Sequence, residues 1–477
     1  MVSKMGKVLS LWLVLAIIAT CVGCGDEGPT DETVTDETAV TFPDSNLEAA
    51  IREAIGKPEG PIHTSELEGL SFLAASRRDI TDLTRLEYCT NITHLSLAYN
   101  QVSDISPLAS LTNLTWLDLA YNQVSDISPL ASLINLTVLH LSYNQISDIS
   151  PLASLTNLTW LHLGMNQASD ISPLASLTNL TWLSLAYNFV PPEEDAPGAA
   201  GKQVSDISPL ASLTNLTHLG LDVNQVSNIS PLASLTNLTW LHLGTNQVSD
   251  ISPLASLTNL TWLHLSENQI SDISPLARLT NLEWLYLQKN DIGDLSTLTG
   301  LTNLWELHLS DNNISDISPL VENSGLSKED TVNLMNNPLG TTSVNVYIPQ
   351  LEEKRVDVKY FKLHIGIVSC VYFIEHPYVS KEVELVAGDS FTVILGSNRT
   401  TGFQWSESAQ IDDQSVLEQL AHRFVPPEED TPGAAGKEVW TFRALKEGST
   451  EVSMEYSQPW EDGKKAEWTF RLVVVVK

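Results

Sequence analysis

Leucines recur through the middle of the chain in a unit that repeats every 22 residues. The unit from 111 to 130 has leucines at 111, 114, 117, 119 and 130, an asparagine at 122 and a proline at 129. Marker asparagines stand at 100, 122, 144, 166 and 188, then at 224, 246, 268, 290 and 312. Apolar and polar positions alternate just before each asparagine, which predicts one short strand per unit, followed by a turn and a proline-started outer segment.

Ten such copies resemble the leucine-rich repeat. One unit cannot bury its leucines alone, so stacked units must share a continuous core. Residues 42–88 predict a helical N-terminal cap with a degenerate repeat, and residues 89–360 predict the solenoid, closed by a degenerate last turn at 329–360. The cap, the period and the DISPL segments resemble internalin-type repeat proteins of bacterial surfaces. That resemblance implies an α/β solenoid, a leucine-rich repeat horseshoe, that serves as a protein-binding scaffold.

Residues on either side of the strand leucine point to the concave face. The first column reads Trp116, Val138, Trp160, Trp182, His218, Trp240, Trp262 and Trp284. With strands about 4.8 Å apart, the six tryptophans predict one continuous aromatic stripe that binds a second protein or a carbohydrate. The alternative interpretation is cross-strand stacking that only stiffens the sheet.

The second concave column contains neighbouring histidines, His140 with His162 and His242 with His264. Imidazole pairs can bind zinc, but a complete site needs a further ligand, and without a nearby carboxylate or cysteine to complete it we expect these pairs to bind no metal. The sequence therefore predicts no metal and no cofactor.

An extra segment of 14 residues interrupts the repeats at 189–202, and it recurs at 424–437 with 13 of 14 positions identical. Such identity indicates copying from the C-terminal domain into a repeat turn, where added loop length costs little. The favoured interpretation is a tolerated recombination scar. The functional alternative is a second protease-gripping loop.

After an apolar connector at 361–378, the pattern changes to short alternating strands separated by turn signals. Residues 379–477 therefore predict an all-β immunoglobulin-like sandwich. The connector is too short and too polar to cross a membrane and is expected to pack the two domains together.

Three segments where the strand pattern breaks resemble the loops of the chagasin family, protein inhibitors of papain-like cysteine proteases. The resemblance implies that these loops form a wedge for the protease cleft, with Trp460 as a flat aromatic anchor. The implied protease-binding residues are Asn398, Thr400, Thr401, Gly402, Phe403, Gly433, Ala434, Ala435, Gly436, Gln458, Pro459 and Trp460.

Three positions depart from the family pattern. Arg399 replaces a proline, Ala435 a glycine and Gln458 an arginine. We expect inhibition to be retained but weakened or redirected. The alternative is a sandwich that serves only as a spacer.

The first 24 residues have lysines, an apolar run too short to span a membrane and a cysteine after small residues. This resembles the lipobox of bacterial lipoproteins and implies lipidation of Cys24, with Cys21 a weaker candidate. An ordinary cleaved signal, and hence secretion, is the alternative. Residues 25–41 are acidic and predict a disordered tether.

The formal charge of −33 excludes nucleic-acid binding, and no nucleophile, base and acid stand together as an enzyme would need. The sequence thus predicts a surface-anchored inhibitor of cysteine proteases, carried on a repeat scaffold. The alternative is an adhesion or receptor-like protein that binds a ligand on its aromatic concave face.

Overall fold

The computed structural model describes residues 38–190, 202–340, 342–360, 363–368, 378–385, 387–397, 402–426, 436–458 and 467–477. Residues 39–477 form one unit. The predicted signal peptide, Cys24 and most of the predicted tether lie outside these ranges. In the described ranges, no helix has both the length and the apolar character that a membrane span requires.

The N-terminal cap is helical, as predicted. Helix α1 (Ser45–Ile55) begins at Asp44, whose side chain accepts hydrogen bonds from the first-turn backbone, and ends at Gly56 with φ +68°. Strand β1 (Ala39–Val40) pairs antiparallel with β2 (Ile62–His63), and α2 (Thr64–Glu68) follows. Ordered structure therefore begins inside the predicted disordered tether, because Val40 is buried in the cap.

Each repeat contributes one strand of three residues to a parallel sheet, which has 13 strands in the described part of the chain. The sheet begins within the predicted cap and ends within the predicted last turn. Its strands are β3 (Phe72–Ala74), β4 (His94–Ser96), β5 (Trp116–Asp118), β6 (Val138–His140), β7 (Trp160–His162), β8 (Trp182–Ser184), then, after the hairpin of β9 (Phe189–Val190) and β10 (Lys202–Gln203), β11 (His218–Gly220), β12 (Trp240–His242), β13 (Trp262–His264), β14 (Trp284–Tyr286), β15 (Glu306–His308), β16 (Thr331–Asn333) and β17 (Asp357–Lys359).

The marker asparagines join consecutive repeats through buried hydrogen bonds. The Nδ2 group of Asn144 donates to the carbonyl oxygens of Leu119 (2.9 Å) and Leu141 (3.0 Å), and its Oδ1 accepts from the backbone N–H of Val124 (2.9 Å). The same three contacts recur at Asn122, one repeat earlier. One side chain thus bonds three buried backbone groups, and each of the two leucine carbonyls also accepts from the asparagine of a neighbouring repeat.

The convex side is built from the DISPL segments. In each, the aspartate side chain accepts a hydrogen bond from the backbone of the following serine, as Asp126 does from Ser128 at 2.8 Å, and the proline starts a 3₁₀ turn. These turns span Ser106–Ser110, Ser128–Ser132, Ser150–Ser154, Ser172–Ser176, Ser208–Ser212, Ser230–Ser234, Ser252–Ser256, Ser274–Arg278 and Ser296–Gly300. Asn228 replaces the aspartate before Ser230–Ser234, and Ser296–Gly300 has a threonine in place of the proline. A 3₁₀ turn at Leu86–Tyr88 precedes them; helices α3 (Ser318–Glu322) and α4 (Ile348–Glu353), the latter after a π-helical turn at Ser343–Tyr347, close the C-terminal end.

The C-terminal domain is a sandwich of two sheets, as predicted. One sheet has the order β18-β20-β24-β23, and the other has β19-β26-β25-β21 with β22 also on β25. Trp405, Trp440, Phe391, Phe442 and Phe470 fill the core between them. The strands are β18 (Leu363–Val368), β19 (Tyr378–Leu385), β20 (Ser390–Ser397), β21 (Gln404–Trp405), β22 (Gln410–Ile411), β23 (Leu417–Val425), β24 (Gly436–Ala444), β25 (Gly448–Ser457) and β26 (Trp468–Val476).

The predicted connector at 361–378 is part of the sandwich. Its residues 363–368 form β18, which pairs in parallel with β20 and places Leu363 opposite Phe391. The boundary of the sandwich therefore lies upstream of residue 379. An apolar run that we expected to pack two domains together supplies an edge strand.

The segment at 189–202 closes as a hairpin without disturbing the stack. Val190 pairs with Lys202, while β8 and β11 on either side remain neighbours in the parallel sheet. Its second copy in the sandwich has the same register, with Val425 paired to Lys437. Copying the sequence therefore copied the base of the hairpin as well.

Replacing Asn144 with alanine tests the asparagine contacts. In this variant the buried backbone N–H of Val124 loses its acceptor, whereas the carbonyl oxygens of Leu119 and Leu141 keep donors from Asn122 and Asn166. An unpaired buried group costs about 1–3 kcal/mol, so we expect a loss of about 1–3 kcal/mol in urea-induced unfolding. Asn135→Ala is the matched control, because the exposed Asn135 makes only one bond, to the carbonyl of Thr112. Equal losses from the two variants would contradict the assignment.

Candidate binding surfaces

Two of the three chain segments singled out by sequence leave the four-stranded sheet side by side. In that sheet Ser397, the last residue of β20, pairs with Gly436, the first residue of β24. Val425, the last residue of β23, pairs with Lys437. The described residues that precede 398 and flank 427–435 therefore lie together at one end of this sheet's strands.

The third segment leaves the other sheet at the same end of the sandwich. Gln404 pairs with Ser457, and Tyr456 pairs with Trp468, which places the chain before 404, after 458 and before 467 together. The indole N–H of Trp405 donates to the carbonyl of Gly396 at 2.8 Å and so links this end of the two sheets. The described residues that flank all three segments thus lie at one end of the sandwich, which we call the loop end.

A buried carboxylate supports the loop end from below. Glu438 is fully buried; one of its oxygens accepts a hydrogen bond from the hydroxyl of Ser397 at 3.1 Å, and the other lies 2.8 Å from Nε2 of His422. These three residues stand on β24, β20 and β23. The network ties together the strands that precede and follow the first two segments, and buried polar networks of this kind stiffen their surroundings.

The described residues at the loop end have structural roles that agree with the prediction in part. Gly402 has φ +79°, a conformation that favours glycine. Phe403 is half-buried and stacks on Tyr456 with ring centroids 5.6 Å apart, so it anchors the first segment on the core. Gln458 directly follows β25 and is half-buried. The other predicted contacts, Asn398, Thr400, Thr401, Gly433, Ala434, Ala435, Pro459 and Trp460, lie outside the described residues.

Gly436 corrects the prediction of a contact surface at 433–436. It is buried at the start of β24, and a Cβ there would lie 2.5 Å from both Cζ of Phe424 and the carbonyl oxygen of Val425. Glycine is required at this position because the preceding strand passes directly against it. Its role is close packing beneath the loop end.

The first half of the concave aromatic stripe is a packed patch. Trp160 and Trp182 stack with ring centroids 4.2 Å apart and planes 4° from parallel. Trp116 reaches Trp160 through the ring of His140, at 5.9 and 6.3 Å. Trp160 is 37 % exposed, and the other two tryptophans are half-buried. The patch therefore offers indole surface to a partner while each ring is held by its neighbours.

The second half of the stripe is a separate patch. Trp262 lies 6.4 Å from Trp240 and 4.9 Å from Trp284, measured between ring centroids. Among the described residues, no ring contact joins Trp182 to His218. The six predicted tryptophans thus form two patches, and the predicted continuity is interrupted where the 14-residue segment enters the chain.

A carboxylate lies between two of the concave histidines, contrary to the premise of the sequence analysis. Asp222 is 3.0 Å from Nδ1 of both His242 and His264. Because Asp222 lies two residues beyond its own strand position, comparison within the two concave columns missed it. The signal was available in the sequence, since Asp222 replaces the alanine found at 98, 120 and 186.

Structural comparison identifies the repeat domain. An internalin from Listeria monocytogenes (inlF) superposes with a TM-score of 0.61 and 38 % identity, over 67 % of this chain and 91 % of that chain. The chain belongs to the internalin family. A second Listeria internalin (inlC2) matches at 38 % identity over 52 % of this chain and 94 % of that one, with a TM-score of 0.41. A TDR receptor, 18 % identical over 67 % of this chain and 60 % of that one, shares the fold with a TM-score of 0.52.

Family models match both the repeat domain and the C-terminal sandwich of this internalin. Leucine-rich repeat models match residues 90–132, 112–154, 134–176, 236–278 and 280–322. Residues 384–474 match the chagasin family of peptidase inhibitors. A search of curated proteins finds none that matches the chain.

Arg423 joins the internalin solenoid to the chagasin-family domain. Its guanidinium donates to the carbonyl oxygens of Asn312 and Asn336, the latter at 2.7 Å. Thr441 on the adjacent strand donates to Oδ1 of Asn336 at 3.2 Å. Burial lowers the pKa of Arg423, although nearby aspartates oppose that effect. The four-stranded sheet of the sandwich is thus hydrogen-bonded to the turns of the last repeats.

Arg423→Gln tests this contact. Removing the guanidinium leaves buried carbonyl groups of the solenoid without a donor, so we expect a loss of about 1–3 kcal/mol in the stability of the sandwich and faster amide hydrogen exchange along β23. Arg443→Gln is the control, because Arg443 pairs with Glu418 at a solvent-exposed position of the same sheet. A contact of no importance would give the two variants the same exchange rates.

Proposed function

We propose that the chain inhibits papain-like cysteine proteases with the loop end of its chagasin-family domain. The observation that carries the proposal is the convergence of the three segments at one end of a sandwich of that family. Neither of the matched families is enzymatic as a class, and both act by binding. Occupying the protease cleft requires no chemistry from the inhibitor, only loops that fit it.

The supports beneath the loop end favour tight binding. The Trp405 bond to Gly396, the stacking of Phe403 and the Glu438 network hold the strand ends before any partner arrives. Conformational entropy that the chain has already lost on folding is not lost again when the partner binds. A three-loop wedge burying about 800 Å² on each partner would form an interface of standard size.

The internalin solenoid serves in this proposal as the scaffold that carries or targets the inhibitor. Its two aromatic patches support an additional role, the binding of a protein or carbohydrate ligand on the concave face. Exposed, packed aromatic rings are the residues that most often dominate binding energy. An adhesion or receptor-like function would rest on these patches and would not need the loop end.

Trp460→Ala tests the inhibitor proposal. The intact chain is titrated against papain with a small peptide substrate, and we expect competitive inhibition by the wild type. Truncating an aromatic anchor costs about 2 kcal/mol or more, so the inhibition constant should rise by at least about 30-fold. Trp160→Ala on the concave face should inhibit like the wild type. Unchanged inhibition by Trp460→Ala would refute the wedge.

A variant lacking residues 189–202 is a second control in the same titration. The deletion restores the 22-residue spacing and removes the copied hairpin, which has none of the companion segments of the loop end. We expect no change in inhibition. A clear loss would assign protease contacts to the solenoid hairpin instead.

We further propose that Cys24 anchors the protein to the bacterial membrane through a lipid. The lipobox-like sequence before it supports this proposal. Cys24→Ser, expressed in a bacterial host that processes lipoproteins, should shift the protein from the membrane to the soluble fraction and abolish labelling with radioactive palmitate. Cys21→Ser should leave both unchanged. Membrane release by Cys21→Ser alone would move the anchor to that residue, and a soluble, unlabelled wild type would exclude it.

A further inference from the structure

Three side chains of the solenoid converge as metal ligands do. Asp222 offers Oδ2 to Nδ1 of His242 and Oδ1 to Nδ1 of His264, both at 3.0 Å. The three ligand atoms all lie within 4.8 Å of one another. We propose that Asp222, His242 and His264 form a binding site for a divalent transition metal, with Zn²⁺ as the expected ion.

The repeat geometry fixes this cluster. His242 and His264 occupy equivalent positions on β12 and β13 and are direct partners in the sheet. Asp222 comes from the preceding repeat, immediately after the buried Leu221. A side chain at that position reaches forward over the next two repeats, so it meets both imidazoles from one side.

The backbone around the carboxylate is shaped to admit it. A Cβ at Gly244 would lie 2.6 Å from Cε1 of His264 and 3.0 Å from Oδ1 of Asp222, so any side chain there would collide with the cluster. The backbone N–H of Gly244 also donates to Oδ1 of Asp222 at 2.9 Å. Gly244 therefore makes room for the ligands and orients one of them.

The protonation chemistry suits a cation. Burial opposes ionisation of Asp222, but the hydrogen bonds from the two histidines outweigh it and lower the pKa of the carboxyl to about 2. The carboxylate thus places a negative charge between two imidazole nitrogens, which is the arrangement that a divalent cation requires. Metal binding at such sites releases protons from the ligands.

Contacts behind the ligands hold the imidazole rings. Nε2 of His264 lies 2.5 Å from the hydroxyl of the buried Ser266, which can accept a hydrogen bond from Nε2–H once Nδ1 binds a metal. This is the second contact that ligating histidines usually make. The ring of His242 is held by stacking on Trp240, with centroids 3.7 Å apart, and its Nε2 has no hydrogen-bond partner among the described residues.

Two imidazole nitrogens and one carboxylate oxygen are a donor set that suits Zn²⁺. Ligands about 2.0–2.1 Å from a tetrahedral ion are separated by roughly 3.3 Å. The two 3.0 Å carboxylate–imidazole spacings would open slightly to reach this value, and the two imidazole nitrogens already lie within 4.8 Å of each other. The side chains of Asp222, His242 and His264 remain 17 %, 21 % and 25 % exposed. The exposed side leaves a fourth position for water or for a group from a partner.

The other histidine pair of the solenoid supplies an internal comparison. His140 and His162 are partners on β6 and β7 just as His242 and His264 are on β12 and β13. The position equivalent to Asp222 is there Ala120, and that of Gly244 is Ser142. This second pair has Asp118 beside His140 as its sheet partner, but it has no carboxylate at the position of Asp222 and no glycine at that of Gly244.

Zinc titration of the intact, untagged chain tests the site. After treatment with a chelator, isothermal titration calorimetry with ZnCl₂ should show one ion bound per chain, with proton release that depends on the buffer. Co²⁺ should give visible d–d absorption bands of a low-coordinate N₂O site. No saturable binding at millimolar metal would overturn the proposal.

Substitutions that introduce residues found at equivalent positions of other repeats test where the ion binds, and we expect them to preserve the fold. Asp222→Ala introduces the residue found at 98, 120 and 186, and His242→Ser introduces that found at 184. Each should weaken Zn²⁺ binding by at least tenfold and remove the Co²⁺ bands, with unchanged circular dichroism. The double variant His140→Gln and His162→Gln should bind like the wild type. Binding that survives both Asp222→Ala and His242→Ser would place the ion elsewhere and reject the site.

Discussion

The buried asparagine of each repeat is the interaction on which the rest of the solenoid depends. Its amide has two N–H donors and an acceptor oxygen, and a single side chain therefore pairs backbone groups of two successive repeats. The 22-residue period follows, because each new asparagine must meet carbonyl and N–H groups placed by the previous turn. The insertion of 14 residues keeps the donor half of this arrangement and loses the acceptor half, since Oδ1 of Asn224 has no hydrogen-bond partner among the described residues. Asn224 still donates to the carbonyl of Leu185 across the inserted hairpin, at 3.0 Å.

A stack held by its backbone turns leaves the concave positions free to carry function. Parallel register places equal positions of neighbouring repeats side by side, which accounts for the stacked tryptophans and for the paired histidines. The same geometry also allows contacts between residues at non-equivalent positions of neighbouring repeats. Asp222 shows it, since this side chain bridges to the next two repeats from outside both columns. Comparison of equivalent positions along the repeats therefore detects the aromatic patches but not a cluster that combines residues from different positions.

The solenoid strands could be predicted residue by residue, because ten copies report the same period, and the structure confirms strands such as β5 and β12 at the predicted positions. The sandwich was predicted from five alternating strands, which are present as β19, β20, β24, β25 and β26. β21 and β22 are too short to give a pattern. β23 was missed because a bulge between Gln419 and Ala421 turns Leu420 outward, where it is 44 % exposed, and destroys the alternation. The bond of Arg423 to the solenoid is a tertiary contact between distant segments that no local pattern predicts. The cluster of Asp222 with two histidines is also a contact between separate repeats, and its sequence signal is only the departure of Asp222 from the alanine at 98, 120 and 186.

Three consecutive residues of β23 connect the loop end to the rest of the molecule. His422 reaches inward to Glu438, Arg423 reaches outward to the solenoid, and Phe424 packs against Gly436. The second segment of the loop end therefore starts from a strand fixed on both sides, which limits the entropy it can lose on binding. The copied hairpin in the solenoid has the same strand register, but Gln203 stands where Glu438 stands in the sandwich. The strand pairing depends only on residues within the copied segment and its immediate flank, so both copies have it. The carboxylate network needs Ser397 and His422, which were not copied, so only the sandwich has it.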